Sequence, residues 1–373
     1  MKIAILGTKG IPGHNGVEVV VDSLVPHLSS MGHDITVYGY DSYTQPADSD
    51  NCVRIRTVPG SSRKNLEMIS HMWNASVDSR RRNFDIVHIH NTDPCLLAWL
   101  PKARYGIIST SHGQAYIRKK WGITARTMSK AAERFFIYLP DIITSVSKPL
   151  ADFYEKKYKK KVFFIPNGIK CMEAPDKTFL KRWNLEPEKY LFCSAGRIER
   201  TKGIHTLLEA YNKLKIDLPL VIAGGGNGTD HQYFRELKHK KPNGVIFTGF
   251  LTGDDLFSLY AHTGVFVFPS EYEAMSMALL EGLSFGVPTI YSNIPENTAV
   301  TNGLGYAFEV SNAVSLVKQL HYVLKHYNEA LTVGGKAKKY IKKNYDWKNI
   351  AKQYNEIYLK LSGKEREQNN FHK

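Results

Sequence analysis

Glu273 and Glu281 stand eight residues apart in the stretch VFVFPSEYEAMSMALLEGLSFGVPTIYS, Val265 to Ser292. It opens with the apolar run Val265 to Phe268, stops at Pro269, and resumes after a polar loop as a Met/Ala/Leu-rich segment that ends at Gly286 and Pro288. This pattern predicts strand, loop, short helix and strand. Ser276 is the expected N-cap of a helix starting at Met277, and Gly286 its stop. Two strands apolar throughout and joined through a helix imply a parallel sheet buried on both faces. Glu273 then falls in the loop before the helix and Glu281 inside its first turns, both near the helix N-terminus. That end presents unpaired backbone N–H groups and the positive end of the helix dipole, so it favours an anion such as a diphosphate. Amides for phosphates and carboxylates for sugar hydroxyls together suit a sugar nucleotide.

A second set of charges lies upstream. After the expected strand Tyr190 to Ser194 comes Gly196-Arg197-Ile198-Glu199-Arg200-Thr201-Lys202-Gly203, and then a helix from Ile204. A turn that carries Arg197 and Lys202 to a helix N-terminus is suited to clamp a leaving diphosphate. Arg and Lys in such turns are also often only solvated.

Taken with their flanks, Pro269-Ser270 and Gly286-Val287-Pro288, Glu273 and Glu281 resemble the Glu-x7-Glu motif of retaining glycosyltransferases of family 4, which have the GT-B fold. Gly196-Arg197 and Lys202-Gly203 resemble the family's Gly-Arg and Lys-Gly pair, whose cations bind the donor phosphates.

The elements that must position these groups begin with KIAILGTKGIPGHNGVEVVVDSLVPHLSSMGHDITVYGYD. A strand (Ile3 to Leu6), a loop with Gly7, Gly10, Gly13 and Gly16, a helix with apolar Val17, Val20, Val21, Leu24, Val25 and Leu28, and a strand (Ile35 to Tyr38) make a βαβ unit. Glycines allow a backbone to approach a phosphate closely. Gly7-x-x-Gly10-x-x-Gly13 is not the G-x-G-x-x-G of dinucleotide binding, which argues against NAD despite Asp41 at the end of the second strand. The loop resembles that of the family 4 subgroup with a Gly-x-x-Gly-Ile-Pro opening, some of whose members transfer rhamnose. In it, the second of two glycines before the helix approaches the donor β-phosphate, and Asn15-Gly16 here leaves only Gly16 for that role.

Further strands are expected at Val53 to Val58, Asn83 to His90, Tyr105 to Thr110, Asp141 to Val146 and Lys161 to Pro166. His88 and His90 share one face of their strand, and His112 follows the next. No carboxylate or further histidine sits at ligand spacing, so the three read as packed or hydrogen-bonded rather than as a zinc site. Ser111-His112-Gly113, with Lys120-Trp121-Gly122, again resembles the subgroup. That resemblance implies that His112 lies beside the donor sugar and the reacting centre. Asp48-Ser49-Asp50 looks like the Asp-x-Asp metal motif of the other glycosyltransferase fold, but its polar setting reads as a surface loop.

The 373 residues suit two domains, and the 43% apolar content is enough for two cores. Cys52, Cys95, Cys171 and Cys193 are widely spaced and read as buried free thiols. No run of apolar residues is long enough for a membrane span or a secretory signal, so a cytoplasmic protein is expected. The net charge is +15, and residues 100 to 161 hold 14 Lys/Arg against 4 Asp/Glu. There Arg118-Lys119-Lys120-Trp121 precedes Arg126, Lys130 and Arg134, which interleave with Phe135, Phe136 and Tyr138, and a basic run follows from Lys156 to Lys161. Basic residues with aromatics at helical spacing suit an anionic membrane surface, here through region 118–161. A merely solvated basic face is the plainer reading, and nucleic acid is disfavoured because no nucleic-acid module accompanies the charge.

The resemblance covers nearly the whole chain. It implies an α/β protein of GT-B fold, with two Rossmann-like doubly wound domains facing a cleft. Residues 1–168 plus a closing helix at about 348–362 would form the acceptor side, residues 172–347 the nucleotide-sugar domain, and 363–373 a tail. Ile165-Pro166-Asn167-Gly168 resembles the family's interdomain crossing, with Lys170 where an acid is usual. Glu281 would hold the donor ribose and Glu273 the sugar hydroxyls. The amides of Ser276 and Met277, with Arg197 and Lys202, would neutralise the departing diphosphate in place of a metal. Ala274 and Ser276 replace usual glycines and narrow the space near the sugar.

The expected activity is retaining, metal-independent transfer of a hexose or deoxyhexose from a nucleotide-diphosphate sugar. The acceptor would be a lipid-linked saccharide of cell-surface polysaccharide, such as capsule or lipopolysaccharide, at the inner face of the membrane. A sugar-nucleotide epimerase of GT-B fold and a non-catalytic anionic-lipid-binding protein are the rivals.

Overall fold

The computed structural model describes residues 1–13, 16–49, 53–63, 66–114, 116, 123–170, 172–226 and 228–363. Strand and helix alternate because short β-branched and aromatic runs alternate with segments of helical period. Contacts divide the chain into two compact units: Met1–Gly168 with the segment from Trp347 onward, and Ile169–Asp346.

The first unit holds strands β1 (Lys2–Leu6), β2 (Asp34–Tyr40), β3 (Ala47–Ser49), β4 (Val53–Val58), β5 (Ile86–His90), β6 (Gly106–Ser111), β7 (Ile142–Ser145) and β8 (Phe163–Phe164). Its sheet order is β3-β4-β2-β1-β5-β6-β7-β8, with every pair parallel except β3 with β4. The chain winds outward from β1 to one edge, then returns to β5 and winds to the other. Helix α1 (Gly16–Ser30) therefore covers one face, while α2 (Glu67–Arg80), α3 (Ile123–Tyr138) and α4 (Lys148–Tyr158) cover the opposite one.

Side chains of β1 alternate accordingly. Ile3 and Ile5 pack with Val21, Leu24 and Leu28 of α1, and Ala4 and Leu6 with Met72 of α2 and Phe136 of α3. Ser147 caps α4 by accepting from the Leu150 N–H, a bond worth about 1 kcal/mol.

The second unit holds β9 (Leu191–Gly196), α5 (Ile204–Leu214), β10 (Leu220–Gly224), α6 (His231–Lys240), β11 (Val245–Gly249), α7 (Gly253–Ala261) and β12 (Val265–Phe268). It continues with α8 (Met277–Phe285), β13 (Thr289–Ser292), α9 (Pro295–Thr301), β14 (Tyr306–Phe308), α10 (Ala313–Lys325) and α11 (Tyr327–Asn344). Its all-parallel order is β11-β10-β9-β12-β13-β14, the dinucleotide-fold pattern whose switch point lies between β9 and β12. The last helix, α12 (Trp347–Leu361), belongs to the first unit, where Ile350, Tyr354, Ile357 and Tyr358 enter the core beside α1. Gly168 is forced there by packing: a Cβ on it would meet the Trp347 ring at 2.5 Å.

Three expectations change. Asp48 and Ser49 are not a loop but part of β3, because the free edge of β4 accepts an antiparallel strand in which Asp48 pairs with Arg54; Asp50 lies outside the described residues. The strand expected from Asn83 begins only at Ile86, since Asn83 turns the chain at φ 51°. The strand expected over Lys161 to Pro166 shrinks to Phe163–Phe164. Cys95 and Cys193 are buried free thiols, and Cys52 and Cys171 lie outside the described residues.

Candidate active site

In the second unit the switch point gathers the loop after β9 and the loop after β12. The short turn Arg200–Lys202 ends at Gly203, whose φ is 65°. A Cβ at Gly203 would lie 2.0 Å from the Pro269 carbonyl oxygen, so only glycine lets this turn close against the end of β12. Three further bonds lock the loops together. The Glu271 N–H donates to the Thr201 carbonyl (2.7 Å), the Ser270 hydroxyl donates to the same carbonyl (3.1 Å), and the Ser292 hydroxyl donates to the Ser270 carbonyl.

The result is a direct ion pair: Lys202 Nζ stands 2.6 Å from Glu273 Oε1, with the two side chains only 15% and 11% exposed. Ser270 Oγ donates to the same carboxylate oxygen at 2.7 Å. The family resemblance assigns Lys202 to phosphates and Glu273 to sugar hydroxyls as separate groups, and gives no sign that they touch. Arg197, on the same turn, is 3.9 Å from Glu199.

Ser276 caps α8, its hydroxyl accepting from the Leu279 N–H and its carbonyl from the Leu280 N–H. Gly286 ends the helix in the left-handed region. The amides of Met277 and Ala278 thus remain at the N-terminus beside the Glu273 loop. Inside the helix, Glu281 is partly buried and hydrogen-bonded by Tyr260, whose hydroxyl also contacts the Ala278 carbonyl. Burial raises the Glu281 carboxyl to about 7, opposed by the Tyr260 hydrogen bond. Tyr260, on α7, had no signal in the sequence beyond helical spacing. Glu296 at the start of α9 is a third acid of this region, its pKa raised by burial and by the charge of Glu273.

The first unit repeats the backbone arrangement with different side chains. Gly7 follows β1 with φ 83°, and its Cβ would lie 2.2 Å from the carbonyl oxygen of His90 at the end of β5. Gly16 opens α1 at φ 45°, with nothing among the described residues within 4 Å of an added Cβ, while His14 and Asn15 lie outside them. His88, His90 and His112 come together as a stack: ring centroids are 4.2 Å apart for the first pair and 5.2 Å for the second. His88 uses both nitrogens, Nδ1 to the Tyr358 hydroxyl (2.9 Å) and Nε2 to Thr110 Oγ1 (2.7 Å). Burial lowers His88 and His112 to about 3 and His90 well below its ordinary value, so all three are neutral at physiological pH. Among the described residues no group of metal-ligating side chains could hold an ion.

Two parallel-sheet, Rossmann-like units with glycine turns at both switch points define an α/β protein of the GT-B type. Residues 14–172 match the family described as Glycosyltransferase Family 4, and residues 176–347 that described as Glycosyl transferases group 1. The chain belongs to the GT-B glycosyltransferases and carries both of these domains. It is similar to the O-antigen biosynthesis glycosyltransferase WclY of Escherichia coli, 23% identical with 97% of this chain and 99% of the relative covered. Sucrose-phosphate synthase from Thermosynechococcus elongatus has the same fold at TM-score 0.83 and 18% identity, covering 96% and 98% of the two chains. Anabaena HepE, solved in complex with UDP-glucose, matches at TM-score 0.77 and 14% identity over 96% and 99%.

Proposed function

We propose that the protein transfers a hexose or deoxyhexose from a nucleoside-diphosphate sugar to a saccharide acceptor with retention of anomeric configuration. The observation that carries this reading is the Lys202–Glu273 pair at the switch point, next to the N-terminus of α8. Lys202, Arg197 and the amides of Ser276 and Met277 offer positive charge to a departing diphosphate without a metal ion. Glu281 accepts from the ribose hydroxyls. Glu273, held by Ser270 and released by Lys202 when phosphate arrives, accepts from the sugar hydroxyls. Gly16 leaves space for the β-phosphate at the start of α1, and His112 stands beside the sugar. The leaving phosphate takes the acceptor proton as the new glycosidic bond forms on the same face.

The likeness to WclY, an O-antigen biosynthesis glycosyltransferase, supports a saccharide acceptor of surface polysaccharide assembly, and we propose that this acceptor is lipid-linked. A face of the first unit supports work at an anionic membrane. Trp73 on α2 is 47% exposed and Trp99 56%, and the two rings meet edge to face. Phe135 and Tyr138 on α3 and Phe153 on α4 are also exposed, with Lys157 over Phe153 and Lys160 over Tyr138. Aromatic rings beside lysines suit the interface of a bilayer with anionic headgroups. Arg118, Lys119, Lys120 and Trp121 lie outside the described residues, and no described helix is long and apolar enough to cross a membrane.

The test is transfer of a labelled sugar from UDP-, GDP- or dTDP-linked donors to extracted lipid-linked saccharides, with the product anomer read by NMR. Retention in the presence of EDTA is expected. An inverted product, a requirement for magnesium, or conversion of the donor alone into an epimer overturns the mechanism. Flotation with vesicles containing phosphatidylglycerol tests the surface: binding that weakens in Trp73→Ala/Trp99→Ala is expected, and absence of binding in the wild type removes the membrane from the account.

A further inference from the structure

His90 is fully buried at the end of β5, and its two nitrogens have unequal surroundings. Nδ1 lies 2.9 Å from Nε2 of His112, whereas Nε2 has no hydrogen-bond partner among the described residues. The neighbouring His88 cannot supply one, because Tyr358 and Thr110 occupy both of its nitrogens. A neutral imidazole carries one proton. Placed on Nε2 of His90, it would be a buried N–H with no acceptor, which is rarer and more costly in folded proteins than an unfilled lone pair. Placed on Nδ1, it makes the bond to His112. Two neutral imidazoles facing each other through Nδ1 and Nε2 must be one donor and one acceptor, so the orphaned atom decides which is which.

We infer that His90 donates its Nδ1–H to Nε2 of His112 and thereby fixes His112 as the Nδ1–H tautomer, a neutral hydrogen-bond donor rather than a base. His112 is only partly buried, and its Nδ1 has no partner among the described residues, so the fixed N–H is directed at whatever occupies the space beside it. The ligand group that fits is an oxygen acceptor: a sugar hydroxyl oxygen or a phosphate oxygen of the donor. His90 is accordingly a positioning residue, buried away from substrate and acting through His112. The low proton affinity that burial gives both rings agrees with this, since an imidazolium at His112 would donate from Nε2 and reverse the bond. The part played by the tautomer in transfer rests on the function proposed above, but the tautomer itself does not.

The test is 15N-labelled histidine in the full-length protein, with long-range 1H–15N correlation spectra at pH 7 and the His112 signals assigned from their absence in His112→Gln. The expected spectrum has His112 protonated on Nδ1 and bare on Nε2. A His112 protonated on Nε2, or on both nitrogens, overturns the inference without any need for substrate. Two variants then separate positioning from mere packing. His90→Asn keeps an amide donor in the place of Nδ1 and should retain the His112 tautomer; His90→Leu fills the space without a donor and should shift His112 toward Nε2–H.

Release of nucleoside diphosphate from UDP-, GDP- and dTDP-glucose provides the kinetic readout. His90→Leu should lower kcat about tenfold with little change in KM for the donor, and His90→Asn should restore most of it. Equal kcat in His90→Leu and wild type, with the His112 tautomer shifted, shows that the tautomer has no role in the reaction. If none of the three donors is turned over while the spectrum is as expected, the functional reading fails and the assignment of His90 stands.

Discussion

The two switch points are built alike and charged differently. In each unit a glycine at positive φ follows the first strand of the doubly wound sheet, Gly7 directly after β1 and Gly203 at the end of the turn that follows β9. Each presses on a carbonyl at the end of the strand that restarts the winding, His90 at 2.2 Å and Pro269 at 2.0 Å from the missing Cβ. Around that common turn the first unit stacks three neutral histidines, and the second sets an ion pair beside a helix N-terminus. Backbone geometry thus makes the place where a ligand can approach, and side chains decide what charge it meets. The second unit sets charged side chains at its switch point, and the first neutral rings with bare backbone at Gly16.

The sharpest way to break this contrast is to remove the cation. Lys202→Met should lower donor turnover by roughly 100- to 1000-fold, the loss typical of deleting one electrostatic donor to a developing negative charge. A loss under threefold in a steady-state assay would mean that the pair with Glu273 is structural only. Next come the glycines. Gly7→Ala and Gly203→Ala each force a Cβ against a carbonyl in the left-handed region and should each destabilise by about 2–4 kcal/mol in chemical denaturation. The contrast predicts that Gly203→Ala also loses nucleotide binding while Gly7→Ala keeps it. Equal binding losses would mean that both turns hold the nucleotide alike.

The smallest effect concerns protons. Burial raises the Glu281 carboxyl from its ordinary 4.5 to about 7. A folded-state pKa raised in this way stabilises the protein below about 4.5 and loses that contribution as pH rises through about 7. The melting temperature of the wild type should therefore fall over that window relative to Glu281→Gln, which lacks the titration. Donor affinity should do the opposite and rise with pH through about 7, as the carboxylate that accepts ribose hydroxyls forms. In Glu281→Gln affinity should be roughly tenfold weaker and flat in pH, as expected for one charge-assisted hydrogen bond. Calorimetric titrations at pH 6 and pH 8 check both signs.

Much of this architecture was legible in the sequence because its signals are local. Val265–Phe268, the Ser276 cap, the Gly286 stop and the helix start at Ile204 follow from apolar period, hydroxyl and glycine placed within a few residues of each other. The edge strand β3 was not legible, since its pairing depends on an unsatisfied neighbour in space rather than on its own polar composition. The same limit applies to the site. Residue types announced Glu273, Glu281, Arg197 and Lys202 as candidates, but contact between Lys202 and Glu273 spans 71 residues and appears only once Gly203 meets Pro269. Tyr260 and Glu296 read as ordinary helix residues, and Ser270 only as a flank of the motif. His88, His90 and His112 were visible as a set, yet the bond between His90 and His112 requires β5 and β6 to be paired in register, His90 opposite Thr110.

The central claim is that the Lys202–Glu273 region binds a nucleoside-diphosphate sugar without a metal. Its most direct test is thermal denaturation of the wild type, Glu281→Ala and Lys202→Met with UDP-, GDP- and dTDP-sugars, each in magnesium and in EDTA. A ligand specific to the folded state, at a hundred times its Kd, stabilises by about 2.7 kcal/mol, well within reach of the method. One nucleotide family should raise the wild-type melting temperature equally with and without metal, and lose its effect in both variants. A panel in which none raises it, or in which the variants respond as the wild type does, contradicts the claim.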